Sequence, residues 1–164
     1  MKLSGVFSVM AFIFLVPQAV LAQGVLNQGE PRTGTWKLNL AKSKFNPGPP
    51  PKSQVRRYNA QGKSMKLSVE GIGADESPVS YGVTLKYDGR DYPIIGSGTP
   101  SGADTVAHKH IDPYTVEATF KKAGNVIQTV RSVVSREGKI LTITTTGTNA
   151  NGQATNDVAV YDRQ

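Results

Sequence analysis

His108 and His110 are the only imidazoles in the chain, two apart in a run that alternates like a strand. Alternation puts both rings on one face, within reach of a common ligand or metal ion. Asp104 and Asp112 bracket them, so a His/His/carboxylate site can be drawn. A metal site needs a third ligand at bonding distance, and the spacing places neither carboxylate there. The expectation is therefore two histidines on a solvated strand beside Lys109, with no metal and no cofactor. Asp75, Glu76, Asp88, Asp112 and Glu137 sit where turns favour them, which leaves no evident acid/base pair. There is no Cys nucleophile, no Gly-x-Ser-x-Gly elbow and no His-Glu-x-x-His helix, so no enzyme is expected. Gly96-Ser97-Gly98 with Gly102 imitates a phosphate loop, but such loops open onto a helix. Thr105-Val106-Ala107 reads as strand instead, and the glycines are expected in a flexible loop near a barrel mouth. Tyr58, Tyr81, Tyr87 and Tyr92, with Arg56 and Arg57, have the chemistry of a stacking surface for nucleic acid or sugar. On alternating strands the tyrosines are read as wall or core, with no specific nucleic-acid site.

The elements that must position these groups are strands. From Gly34 onward the hydrophobic period is two: Trp36, Leu38 and Leu40; Met65, Leu67 and Val69; Val79, Tyr81, Val83, Leu85 and Tyr87. Val116, Ala118 and Phe120 continue it, then Leu141 and Ile143, and Val158 with Val160. Gln61-Gly62, Asp88-Gly89, Ala123-Gly124, Glu137-Gly138 and Asn151-Gly152 punctuate the runs, since glycine supplies the positive φ of a tight hairpin. Asp88-Gly89, flanked directly by two tyrosine-bearing runs, is the sharpest of these signals. About ten strands follow: 34–40, 53–60, 64–70, 79–88, 90–96, 104–112, 114–122, 125–136, 139–147 and 154–162. Short connections make sequence neighbours antiparallel neighbours in space. The expected fold is all-β, an up-and-down meander closed into a barrel, which abolishes the edges an open sheet would expose. A two-sheet sandwich is the alternative. The Pro-rich stretch 46–51 is expected to be a stiff connector over one barrel end.

Gly34-Thr35-Trp36-Lys37-Leu38 resembles the opening strand of the calycin group, the lipocalins and fatty-acid-binding proteins, which begin with Gly-x-Trp. The resemblance implies that Arg163, at the end of the barrel, lies across the Trp36 ring and closes the floor with it. Such a cation–π contact contributes roughly 0.5–2 kcal/mol. It does not carry over a fatty-acid site, because Tyr161 and Arg163 stand in the opposite order to the family's Arg-x-Tyr pair. The chain is also similar to small exported bacterial β-proteins of unassigned activity.

Ahead of the strands, residues 1–22 read as a signal peptide. Lys2 gives a positive start, Val6 to Val16 an apolar run, Pro17 a break, and Val20 and Ala22 the small residues of a cleavage site. Eleven residues are too few to span a bilayer core of about 30 Å as a helix. Residues 23–33 form a polar lead and 34–164 one β-barrel domain. The absence of cysteine rules out disulfides, so packing must stabilise the exported, periplasmic or secreted chain. The net charge of +7 falls to +6 once Lys2 leaves, with the basic residues spread along the chain. The expected function is non-enzymatic: a barrel whose interior binds a small, largely apolar molecule, walled by Met65, Leu67, Val83, Leu85, Val116, Phe120 and Ile143. The alternative is a filled barrel whose basic surface adheres to anionic envelope material.

Overall fold

The computed structural model describes residues 29–164, so the signal-peptide reading of residues 1–22 lies outside the described residues. Eleven strands form one sheet: β1 (Gly34–Leu38), β2 (Ser53–Gln61), β3 (Ser64–Ile72), β4 (Pro78–Leu85), β5 (Asp88–Pro93) and β6 (Ile95–Ser97) come first. β7 (Thr105–Asp112), β8 (Thr115–Lys122), β9 (Asn125–Val134), β10 (Ile140–Thr148) and β11 (Ala154–Arg163) complete it. The only helical elements among the described residues are two 3-10 turns, Leu40–Lys42 and Pro100–Gly102. None is long and apolar enough to cross a membrane.

Every ladder is antiparallel, and β1 pairs with both β2 and β11, joining the first strand to the last. The sheet runs β5-β7-β8-β9-β10-β11-β1-β2-β3-β4-β6, a meander curled into a nearly closed barrel. The period-two pattern explains the curl. Most strands turn their apolar set inward, and Trp36, Val69, Val106 and Leu141 are each fully buried in one continuous core.

The expected strand 90–96 breaks at Ile94 into two strands with different partners. β5 pairs with β7, in register Tyr92↔Val106, while β6 pairs with β4, in register Gly82↔Ile95. The segment 88–97 thus spans the gap between the sheet's two ends. This corrects the reading of Asp88-Gly89 as a tight hairpin. Ser80↔Ser97 and Gly82↔Ile95 keep a hairpin register centred there, yet from Val83 to Leu85 β4 has no ladder partner on that side. The hairpin is zipped at its base and parted at its tip.

Nor is Gly96 part of a loop. Its φ is +125°, and a Cβ there would sit 2.1 Å from the Ser80 carbonyl oxygen. Only glycine lets β6 approach β4 so closely. The Pro-rich stretch runs exposed beside β11, tied by Asn156 N–H donating to the Asn46 carbonyl at 2.9 Å.

Candidate functional site

The barrel floor is built by the last residues of the lead. Arg32 is 1% exposed: its Nη1 meets Glu30 Oε1 at 2.6 Å, and its Nη2 donates to the carbonyls of Tyr114 at 2.8 Å and Ser132 at 3.2 Å. The Trp36 indole N–H donates to the Arg32 carbonyl at 2.7 Å. Arg163 lies 4.2 Å from the Trp36 ring centroid and donates to the carbonyls of Pro31, Thr33 and Gly138. The bonds from Arg32 to Tyr114 and Ser132, and from Arg163 to Pro31, Thr33 and the Trp36 ring, cross between the lead or β1 and distant parts of the chain, so the floor is a crosslinked layer.

Above the floor lies the interior. Six of the seven expected wall residues, Leu67, Val83, Leu85, Val116, Phe120 and Ile143, surround one cavity, and Met65 is buried in the same core. The cavity measures only about 30 Å³. Ligand pockets occupy roughly 300–1,000 Å³, whereas one water needs about 10–15 Å³. The interior as folded therefore has no room for the largely apolar molecule expected of it.

Aromatic and polar side chains occupy that room. Tyr58, Tyr81 and Tyr161 are buried inside the barrel. Arg56 reaches in among them, its Nε donating to Tyr58 Oη and its Nη1 to Gln54 Oε1, both at 3.3 Å. Burial pushes the Tyr81 and Tyr161 phenols up, so they are neutral. Arg56 and Arg57, adjacent in sequence, part company by strand alternation. Arg57 points out and pairs with Glu70 at 2.7 Å.

The two histidines are similarly divided by depth. His108 is buried on the cavity wall and its Nδ1 has no hydrogen-bond partner. Burial first, then the Arg56 and Arg32 charges, pull its pKa down to about 3. The expectation of two histidines on a solvated strand is wrong for this one. His110 is exposed at the floor, 3.5 Å from Glu30, with the Tyr87 ring 4.0 Å away. The bracketing carboxylates serve turns: Asp104 Oδ2 accepts from Ala123 N–H at 2.7 Å and Asp112 Oδ1 from Tyr114 N–H at 2.8 Å. No group of three potential metal-binding side chains occurs among the described residues.

A second concavity lies on the outer side of the parted hairpin. This seam cleft has a volume of about 570 Å³ and is walled by Lys66, Thr84, Lys86, Tyr92, Pro93 and Ile95, with Gly82 and Val83. Ile95 is 69% exposed, and Lys86 Nζ stands 5.0 Å from the Tyr92 ring centroid. Neither lysine joins an ion pair among the described residues. Val83 lines both this cleft and the interior cavity.

Comparison with protein-family models and with curated proteins finds no match. Among solved structures, the chain is similar to two redesigned β-barrels bound to DFHBI. The barrel mFAP1 is 11% identical with a TM-score of 0.38, covering 81% of this chain and 95% of that one. The barrel mFAP0 is 12% identical with a TM-score of 0.40, covering 81% and 99%.

Arg32, Arg56 and the seam cleft are absent from the sequence-based site. Arg56 shares parity with Tyr58 on β2, the one signal that could have turned it inward. For Arg32 the sequence offers no periodicity at all.

Proposed function

We propose that this chain is an exported, non-enzymatic binding protein that takes a small organic anion with an apolar body in the seam cleft. The observation that carries the reading is the parted hairpin. It opens a cleft of about 570 Å³, within the roughly 300–1,000 Å³ of small-molecule pockets. Val83, Tyr92, Pro93 and Ile95 offer apolar wall, while Lys66 and Lys86 stand at its rim without carboxylate partners among the described residues. Export through the leader of residues 1–22 would put the protein in the periplasm or outside the cell. Moving the ligand from the interior to the seam follows from size alone.

Native mass spectrometry of protein purified from its own host is the test. A small-molecule adduct is expected, and it should be lost in an Ile95→Glu variant, which brings a negative charge to the cleft. Ligand-free protein that also shows no saturable binding of anionic apolar dyes would overturn the reading. Salt-sensitive retention on anionic vesicles by that ligand-free protein would favour surface adhesion instead.

A further inference from the structure

The interior cavity has a chemistry that the seam does not share. Its wall carries two arginines, Arg32 and Arg56, and one histidine, His108, but no carboxylate. Glu30 balances Arg32 at 2.6 Å. Arg56 has no ion pair among the described residues, and both of its hydrogen bonds reach neutral oxygens at 3.3 Å, near the long end of the range. A guanidinium stays protonated in a protein, so it cannot escape an apolar setting by losing its charge. Arg56 is withdrawn from water in part, and a charge so withdrawn is costly while it has no counter-charge.

His108 is the independent second observation. It is 6% exposed, lines the same cavity, and leaves Nδ1 without a partner. Buried polar atoms of this kind are usually satisfied. As a neutral ring its Nδ1 can carry the proton and donate. Ser132 brings a hydroxyl to the same wall. The set is thus a guanidinium, an imidazole N–H and hydroxyls arranged around about 30 Å³, with no acidic group to repel an anion.

We infer that the cavity binds a small monovalent anion, of one to four heavy atoms, between Arg56 and His108. The volume equals that of about two waters, which admits a halide, a nitrate or a formate and excludes larger organic acids. Water in the same place would satisfy His108 but leave Arg56 without a counter-charge. Arg56 is only partly buried, so an anion can reach it from solvent. The site is separate from the seam, and either can fail without the other.

Crystals of the mature protein grown in millimolar sodium bromide provide the direct test, read by anomalous scattering. A bromide peak is expected within hydrogen-bonding distance of the Arg56 guanidinium and His108 Nδ1. In solution, the unfolding midpoint should rise saturably with bromide or nitrate relative to gluconate of equal ionic strength, gluconate being too large to enter. Arg56→Met should abolish both effects, and the wild-type crystals decide the matter if that variant does not fold. Displacement of the bromide peak by formate would show that the anion can be a carboxylate, and its retention that the site prefers the inorganic ion. No peak in bromide and equal midpoints in bromide and gluconate would overturn the inference. So would a peak that appears only at molar bromide with no shift in the midpoint.

Discussion

At the residue scale the buried imidazole is the most exacting feature, because its protonation is linked to folding. His108 is held neutral, its pKa down at about 3, by desolvation and by the neighbouring Arg56 and Arg32 charges. The unfolded chain protonates it near pH 6.5. Above that pH the group costs the fold nothing. Below it the unfolded state takes up a proton that the folded state refuses, so stability falls as the pH falls towards about 3. Between pH 6.5 and 5 the loss should reach about 2 kcal/mol, in a window above the titration of ordinary carboxylates. His110, exposed near Glu30, is the chain's other imidazole. The slope is therefore to be read by urea unfolding in gluconate, as the difference between wild type and His108→Leu. A His108→Leu variant with the same pH slope as wild type would mean that the imidazole is protonated in the folded barrel.

At the scale of elements, the segment 88–97 determines how the barrel closes. β6 holds β4 over three residue pairs, and Gly96 sits at the middle one, against Tyr81. A Gly96→Ala substitution puts a Cβ 2.1 Å from the Ser80 carbonyl oxygen at a φ of +125°. The ladder must shift to relieve that clash, at a cost of about 2 kcal/mol or more. Hydrogen exchange should then quicken at Ser80–Gly82 and Ile95–Ser97 while the β8–β9 ladder keeps its protection. Unchanged exchange at β6 would mean that the seam does not depend on this contact. Most strands were legible in the sequence because alternation reports which residues face the core. It does not report which neighbour a strand pairs with, so the change of partner at Ile94 was hidden. Asp88-Gly89 looked like a closed hairpin for the same reason, since turn chemistry encodes the reversal but not the ladder beyond it. Alternation likewise assigned the apolar wall, but it says nothing of how far Tyr58, Tyr81 and Arg56 fill the space inside.

For the molecule as a whole, the lead is part of the barrel rather than a tail before it. A barrel removes its edges by closure, but its ends still expose core unless something covers them. Here Arg32 covers one end, fixed by Glu30, Ser132 and the Tyr114 carbonyl, while its own carbonyl receives the Trp36 indole N–H. Arg163, the last residue of β11, clasps the Pro31 and Thr33 carbonyls and lies on the Trp36 ring. The first and last described segments therefore lock each other, and the lock includes residues that precede the first strand. A chain beginning at Gly34 would strand the Trp36 N–H, take the Arg32 donor from the Ser132 and Tyr114 carbonyls (the latter still accepts from Val134 N–H), and leave Arg163 with Gly138 alone among its carbonyl acceptors. Each buried group left unpartnered costs about 1–3 kcal/mol, partly relieved where water reaches it. A net loss of about 3 kcal/mol corresponds to roughly 10 °C in a domain of this size. Thermal unfolding of chains beginning at Gln23 and at Gly34 makes the comparison, and a midpoint lower by about that much is expected for the shorter one. Equal midpoints would mean that β1 and β11 close the floor unaided and that Arg32 only fills space left beneath them.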